Sequence, residues 1–411
     1  EEGDREAEDT GGIFFDADGD GELDLYVCSG SYEWPQEDPL YQDRLYLNQG
    51  NRRFEQSKDR LPSLAISTAS VDAGDFDGDG DLDLCVGGRI VPGSYPAPAK
   101  TTLLENREGK FWDVTDQWCP ELKQAGLVTE VKWIDHDQDG DLDLFLAGEW
   151  MAIRIFENQA QRLEEITERA GLSPYKGWWY ALTPCDPDGD GDIDFVAGNL
   201  GENAKYKATM DEPFQVYYHD YDDNGSQDIV LVYFNEGEAY PVRGRSCSAQ
   251  QIPEIADQFP SYDAFSKASM QQIFGPDLSQ GLHYEATWMK SSYIENQGDG
   301  TFLVKPLPVD AQFSTVQGIA VEDLTGDGLP DIVLAGNMHH AEVETARHDA
   351  SIGYILKGDG KGNFQPLPWN QTGFFARGDV KDVAIIQDGK GKPMILIARN
   401  DGPVRLWGLS E

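Results

Sequence analysis

Short apolar runs separated by acidic, glycine-bearing turns dominate the chain. The clearest are Leu23-Asp24-Leu25-Tyr26-Val27, Leu82-Asp83-Leu84-Cys85-Val86 and Leu142-Asp143-Leu144-Phe145-Leu146. Runs of this length, bounded by Gly and Asp, predict buried β-strands rather than helices. The longest of them, such as 229–234, reach about six residues. A membrane-spanning helix needs ~20, so no direct membrane insertion is expected. A second signal follows the first: a strand, then Asn-x-Gly, then an aromatic. It is read at Leu45–Asn48-Gln-Gly50…Phe54, Leu103–Asn106…Gly109…Phe111 and Tyr293–Asn296-Gln-Gly298…Phe302, with weaker versions at Ile155–Asn158 and Leu356–Gly358. Asn and Gly supply the conformations of a tight hairpin turn.

The acidic turns are copies of one nine-residue pattern, Asp-x-Asp-Gly-Asp-Gly-x-x-Asp. The first copy is Asp16, Asp18, Asp20, Glu22 and Asp24; the second is Asp75, Asp77, Asp79, Asp81 and Asp83. The third is Asp135, Asp137, Asp139, Asp141 and Asp143; the fourth is Asp186, Asp188, Asp190, Asp192 and Asp194. The fifth varies to Asp220, Asp222, Asn224, Ser226 and Asp228, and the sixth to Asp323, Thr325, Asp327, Leu329 and Asp331. Oxygen ligands at positions 1, 3 and 5, a glycine at 6, a backbone carbonyl at 7 and a carboxylate at 9 are what a loop wrapped around Ca²⁺ requires. An EF-hand would also need Glu at position 12 and a following helix. Here an apolar strand follows instead, so each loop joins two strands. A plain acidic hairpin would explain one copy, but not six at one spacing. About five to six structural Ca²⁺ ions are expected.

Strand, loop, strand, strand, Asn/Gly turn and strand make a four-stranded unit, and radial repetition of such units is a β-propeller. The loop starts lie 59, 60, 51, 34 and 103 residues apart. The loop-to-Asn distance is 32 and 31 in the first two units but 76 from Asp220 to Asn296. Both irregularities place an insertion of about 44 residues after the fifth loop. Within it, 252–274 has helical spacing, with Ser261 as a cap and Gly275-Pro276 as a stop. A further unit is read at 380–386, 394–398 and 404–407; it has three visible strands, and the N-terminal segment is expected to add the fourth. The expected fold is all-β: a single seven-bladed β-propeller over 1–411, with a helical insertion at about 235–290 within the fifth blade.

Charge narrows the partners. The 411 residues hold 32 Lys+Arg and 74 Asp+Glu, a net charge of −42. No basic footprint is available for nucleic acid or an anionic membrane surface. Five cysteines without a Cys-x-x-Cys do not read as a disulfide framework or zinc site. The acidic start (Glu1, Glu2, Gly3, Asp4) is not a signal peptide, and the chain is read as processed or as a fragment.

The loops resemble FG-GAP/VCBS repeats, as in the integrin α-like β-propeller. The segments Gly177-Trp-Trp-Tyr180, Gly198-Asn-Leu-Gly-Glu-Asn-Ala-Lys-Tyr206 and Ala398-Arg-Asn-Asp401 are similar to the C-terminal propeller of secreted or outer-membrane-anchored Bacteroidetes proteins related to cartilage acidic protein. The resemblance implies a calcium-stabilised cell-surface scaffold and no known reaction. Its implied ligand face is the one opposite the calcium loops. There Gly87-Gly-Arg89, Gly148-Glu-Trp150, Gly198-Asn199, Gly336-Asn337 and Arg399-Asn400 recur, with Tyr32, Trp34, Trp178, Trp179, His339 and His340 expected near the same rim. The candidate ligand residues are Arg89, Trp150, Trp178, Trp179, Asn199, Asn337, His339 and Arg399. The expected partner is a protein or glycan at the cell surface, with subunits of an outer-membrane complex as another reading. A glycan-active enzyme using Arg89, His339 and Tyr180 is the alternative. The expected location is extracytoplasmic, because such loops suit millimolar calcium. His339, His340 and His348 with Glu342 and Glu344 form a transition-metal candidate that reads better as a solvated loop. Arg377-Gly-Asp379 is an adhesion tripeptide only on paper.

Overall fold

A computed structural model describes residues 6–160, 162–341 and 345–408. The first sheet contains β1 (Asp9–Phe15), β2 (Asp24–Ser29), β3 (Arg44–Asn48) and β4 (Phe54–Ser57) in that order. The second contains β5 (Ser67–Gly74), β6 (Asp83–Ile90), β7 (Thr102–Arg107) and β8 (Lys110–Asp113). In the third, β9 (Leu127–Ile134), β10 (Asp143–Met151), β11 (Arg154–Asn158) and β12 (Leu163–Glu165) follow the same antiparallel course, and β13 (Gly177–Trp178) adds to the end of β10. The fourth opens with β14 (Ala181–Cys185) and β15 (Asp194–Gly198).

The chain then leaves the fourth sheet to build another. That inserted sheet holds β16 (Phe214–His219), β17 (Asp228–Asn235), β18 (Glu238–Pro241) and β19 (Leu282–Ala286), in the order β18-β17-β16-β19. Only afterwards do β20 (Ser292–Asn296) and β21 (Phe302–Pro306) return to complete the fourth, with β20 pairing to β15. Next come β22 (Val316–Glu322), β23 (Asp331–Gly336), β24 (Tyr354–Gly358) and β25 (Phe364–Leu367). A three-stranded sheet ends the described chain: β26 (Val380–Gln387), β27 (Pro393–Arg399) and β28 (Arg405–Gly408).

The fold is thus an all-β, seven-bladed propeller with a small helical insertion. Six of its sheets succeed one another through their first strands: β1 lies beside β5, β5 beside β9, β9 beside β14, β14 beside β22 and β22 beside β26. The seventh enters as an insert and meets β10 through β19. One expectation is corrected: the Asn296 hairpin belongs to the fourth unit, not the fifth. β1 opens the first sheet and the last sheet has three described strands; residues 1–5 of the N-terminal segment, expected to add a fourth, lie outside the described residues.

Each apolar core lies between neighbouring sheets, which is why the strands read as continuous apolar runs. Every residue of β10 is buried. Phe145 tilts against Phe195 with ring centroids 4.7 Å apart and sits edge-on to Phe302, joining the third and fourth sheets. Phe145→Ala would cost ~3–5 kcal/mol by the usual scale for a buried aromatic. The inserted sheet has its own core, where Val230 and Val232 meet Ile255, Phe259, Phe265 and Phe274 from a segment of four short helices. Those helices span Arg245–Gln251, Glu254–Gln258, Tyr262–Ser266 and Met270–Phe274. Ser261 caps the third by accepting from the Ala264 amide at 3.1 Å, and Gly275 stops the fourth at a positive φ (80°, with ψ 179°) that glycine adopts freely. No two cysteines are bonded to each other. Among the described residues no helix is long and apolar enough to cross a membrane.

Candidate functional site

Each acidic loop is a turn between the first and second strands of a sheet, and its carboxylates converge because the turn is built around them. Asp16 Oδ1 accepts the Gly19 and Asp20 amides at 2.8 and 3.2 Å, and Oδ2 accepts that of Gly21 at 2.9 Å. Gly19 and Gly21 both hold positive φ, which an L-residue adopts only at a cost. Positions 1, 3 and 9 bring ligand atoms within 4.8 Å of one another in three loops: Asp16, Asp18 and Asp24; Asp75, Asp77 and Asp83; Asp186, Asp188 and Asp194. In the third loop the groups are Asp135, Asp137 and Asp139, and His136, Asp137 and Asp143.

These sets fit a divalent cation. They are rich in hard oxygen donors. Asp18 Oδ1, Asp135 Oδ1 and Asp188 Oδ1 are buried acceptors with no hydrogen-bond partner, a costly state unless an ion meets them. Burial first, and the like charge of Asp77 after it, push Asp83 up to about 8. Burial likewise pushes Asp194 up to about 7. Carboxylates that would hold protons near neutrality are the expected signature of a cluster whose counter-charge is a cation.

The ninth-position Asp is the anchor of each loop. Asp24 Oδ1 accepts the Asn48 amide at 2.7 Å, Asp83 that of Asn106 at 2.7 Å, Asp143 that of Asn158 at 2.8 Å, and Asp194 that of Asn296 at 2.8 Å. Its Oδ2 accepts the position-2 amide: Ala17 at 3.0 Å, Phe76 at 3.2 Å and Tyr221 at 3.0 Å. The fourth loop has Pro187 there, which has no amide proton. The Tyr293 hydroxyl takes its place, donating to Asp194 at 2.5 Å. In the third loop His136 Nδ1 lies 2.5 Å from Asp143 Oδ2.

The recurrent Asn does more than turn the hairpin. Its Oδ1 accepts the turn amide, as from Gly109 to Asn106 at 2.9 Å. Its Nδ2 reaches back to the preceding loop: Asn106 to the Ala17 carbonyl at 3.1 Å, Asn158 to Phe76 at 2.8 Å, and Asn296 to His136 at 3.1 Å. Sequence reasoning missed this brace, and also Tyr293, although Pro187 was the visible clue. The fifth and sixth loops keep the first-position turn, with Asp220 and Asp323 accepting the Gly225 and Gly328 amides at 2.8 Å each. In the sixth, Lys357 Nζ lies 2.7 Å from Asp327 Oδ2, placing a protein cation on that loop.

On the opposite face several expected ligand residues prove to be packing. Trp150 is 3% exposed and Trp179 is 1% exposed. Trp150 stacks on Phe214 of the inserted sheet and meets Trp178 edge-on; the sheet that covers it could not be placed from local pattern. Asn199 and Asn337 are buried, and their side chains bond backbone groups, Asn199 to Trp288 O and Asn337 to Ser351 O and Gly378 O. The glycines before them answer close approach: a Cβ on Gly198 would stand 2.4 Å from Val316 O, and one on Gly336 1.9 Å from Thr315 O. Arg399 is half-buried and donates to the carbonyls of Arg377 and Pro403. Tyr32 is 51% exposed and Trp34 remains exposed, while His339 is half-buried.

The structure does join Arg89 to Tyr180. Both donate to Glu149 Oε1, at 2.6 and 3.1 Å, and Tyr95 donates to Oε2 at 3.3 Å. Trp150 Nε1 in turn donates to Tyr95 at 2.7 Å. Glu149, a second acid in β10 at the end away from Asp143, was the overlooked signal. The histidines find separate neighbours: His340 lies 3.5 Å from Asp379, and His348 lies 3.4 Å from Thr315 Oγ1. Glu342 and Glu344 lie outside the described residues. Asp379 of the Arg-Gly-Asp tripeptide is 3% exposed, so the tripeptide is not displayed.

With this geometry in hand, residues 16–86 and 135–197 match the model of the FG-GAP-like repeat. Within the propeller, those two stretches carry the FG-GAP-like repeat. No curated protein matches it. Solved structures with a similar trace include an Agrocybe aegerita lectin described as recognising non-reducing terminal N-acetylglucosamine, at 16% identity over 88% of this chain and 80% of that one, with a TM-score of 0.33. BBS1N, solved in complex with ARL6DN, aligns at 9% identity over 98% of this chain and 80% of that one, with a TM-score of 0.39.

Proposed function

We propose that this chain is a calcium-stabilised, non-catalytic binding scaffold working outside the cytoplasm, with a protein or glycan partner taken on the face away from the loops. The observation that carries the calcium assignment is the set of buried, unpartnered carboxylate oxygens in the first, third and fourth loops. Extracellular modules bind calcium at ~10⁻⁴–10⁻³ M, which suits secretion or anchoring at an outer membrane. The resemblance to bacterial surface proteins related to cartilage acidic protein favours the same place. Ions held only by the folded chain stabilise it by mass action. Calorimetric titration with Ca²⁺ tests the reading. Binding at the four convergent loops supports it, and a chain that takes up no Ca²⁺ sinks it.

A further inference from the structure

An open cleft of about 500 Å³ lies at the ends of β10 and β11, on the face away from the acidic loops. Its volume is within the ~300–1,000 Å³ range of small-ligand sites. Arg154, Glu165, Thr167, Lys176 and Tyr284 line it, with Glu149 at its inner side.

Apart from Glu168, an exposed carboxylate that also lines it, its charges are already matched. Arg154 Nε and Nη2 bond Glu165 at 2.8 and 2.5 Å, while Nη1 donates to Ala125 O at 2.7 Å. Thr167 donates to Glu165 Oε1 at 2.9 Å. Lys176 Nζ lies 2.8 Å from Glu285, and Glu149 holds Arg89. An anion entering here would compete with carboxylates in place, and an apolar ligand would strand polar groups from water. A neutral molecule that both donates and accepts loses neither. Donors and acceptors in fixed pairs suit adjacent hydroxyls, and Tyr284 adds an apolar ring with a polar tip. One wall is also strained: Trp150 holds a left-handed backbone (φ 62°), unusual for a bulky residue and common where a ligand is clamped.

We propose that this cleft binds a neutral saccharide segment, with Arg154 and Glu165 holding adjacent hydroxyls and Tyr284 facing a sugar ring. This rests on the scaffold reading above and names its ligand class and site. The test is calorimetry of the full chain in calcium against neutral oligosaccharides (gluco-, manno-, galacto- and N-acetylglucosamine-linked), with sulfated oligosaccharides alongside. At least one neutral member should bind. Tyr284→Ala and Glu165→Gln should each weaken it by roughly tenfold, a change of ~1.4 kcal/mol, while Trp369→Ala, in the short helix Trp369–Thr372 that follows β25, leaves it unchanged. The proposal is overturned if no neutral sugar binds to chain that still melts in a calcium-dependent way, if only sulfated sugars bind, or if both variants bind as well as the parent. Sugar binding without any calcium dependence would keep the cleft and overturn the scaffold reading.

Discussion

In the loops that start at Asp75, Asp135 and Asp186, a third-strand asparagine sits on the ninth-position carboxylate and grips the loop before it. In the loop that starts at Asp220 no such asparagine follows. The next strand pairs only from Val232 onward, and Gln251 of the first inserted helix bonds both backbone groups of Ile229 instead. In the loop that starts at Asp323, Gly358 offers only its amide to Asp331, at 3.1 Å. Nine residues at one spacing make the turn, but a strand far along the chain makes it a braced site. A local motif therefore reports where an ion is able to sit, and the brace decides how much of the fold depends on it.

Chelation should break the comparison open most widely. Removing calcium is expected to lower the melting temperature by about 10 °C or more, because several sites each contribute ~2–3 kcal/mol at saturating ion. Proteolysis or hydrogen exchange should then find the first four sheets changed more than the last.

A buried acid whose burial outweighs the nearby Arg44 charge gives a second contrast. Burial pushes Asp43 up to about 7, against hydrogen bonds from Ser29, Thr68 and Tyr26 that oppose it. The folded chain keeps this proton where the unfolded chain gives it up. The stability it contributes is full below about pH 4 and is lost as pH rises through 7, by at most ~4 kcal/mol. Asp43→Asn keeps the shape without the charge. Relative to the parent, it should gain stability between pH 4.5 and 7.5 in urea unfolding; a parallel pair of pH curves would refute the assignment.

The brace itself is tested by Asn158→Ala, which leaves the Phe76 and Leu142 carbonyls and the Ala160 amide without their partner. A loss of about 2–3 kcal/mol is expected in denaturant unfolding. Asp327→Asn, in the unbraced sixth loop, should stay within about 0.5 kcal/mol.

The finest distinction is between two ways of satisfying one oxygen. Tyr293→Phe removes the donor to Asp194 Oδ2 and should cost about 1 kcal/mol. Pro187→Ala restores a backbone amide at that position. It should recover part of the loss in the Tyr293→Phe background and little in the parent, a coupling readable in a double-mutant cycle.

The strand–loop–strand–strand rhythm was legible because its signals lie in the chain itself: short apolar runs, Asp-Gly turns and an Asn some thirty residues on. The helical insertion was legible for the same reason, through Ser261 and Gly275. Ownership of the Asn296 hairpin was not. Spacing arithmetic assumes that one unit finishes before the next begins, and here β15 pairs with β20 across an entire inserted sheet. The ligand face failed for a related reason. Trp150 reads as an exposed rim residue until Phe214, from that insert, covers it. The cleft residues Arg154 and Glu165 carried no motif at all, since only packing brings them to one wall.

The nesting of one sheet inside another also sets a timetable for synthesis. β15 ends at Gly198 and its partner begins at Ser292. At ~5–20 residues per second on the ribosome, the half-made sheet waits on the order of five to twenty seconds for that partner. Through that interval the third-strand edge of β15, with Phe195 and Val196 beside it, is open to mispairing. The inserted sheet carries its own helical core, so it is equipped to fold while the edge waits. Slowing translation across 199–291 would lengthen the exposure and raise aggregation of the nascent chain; slowing it after residue 306 would not.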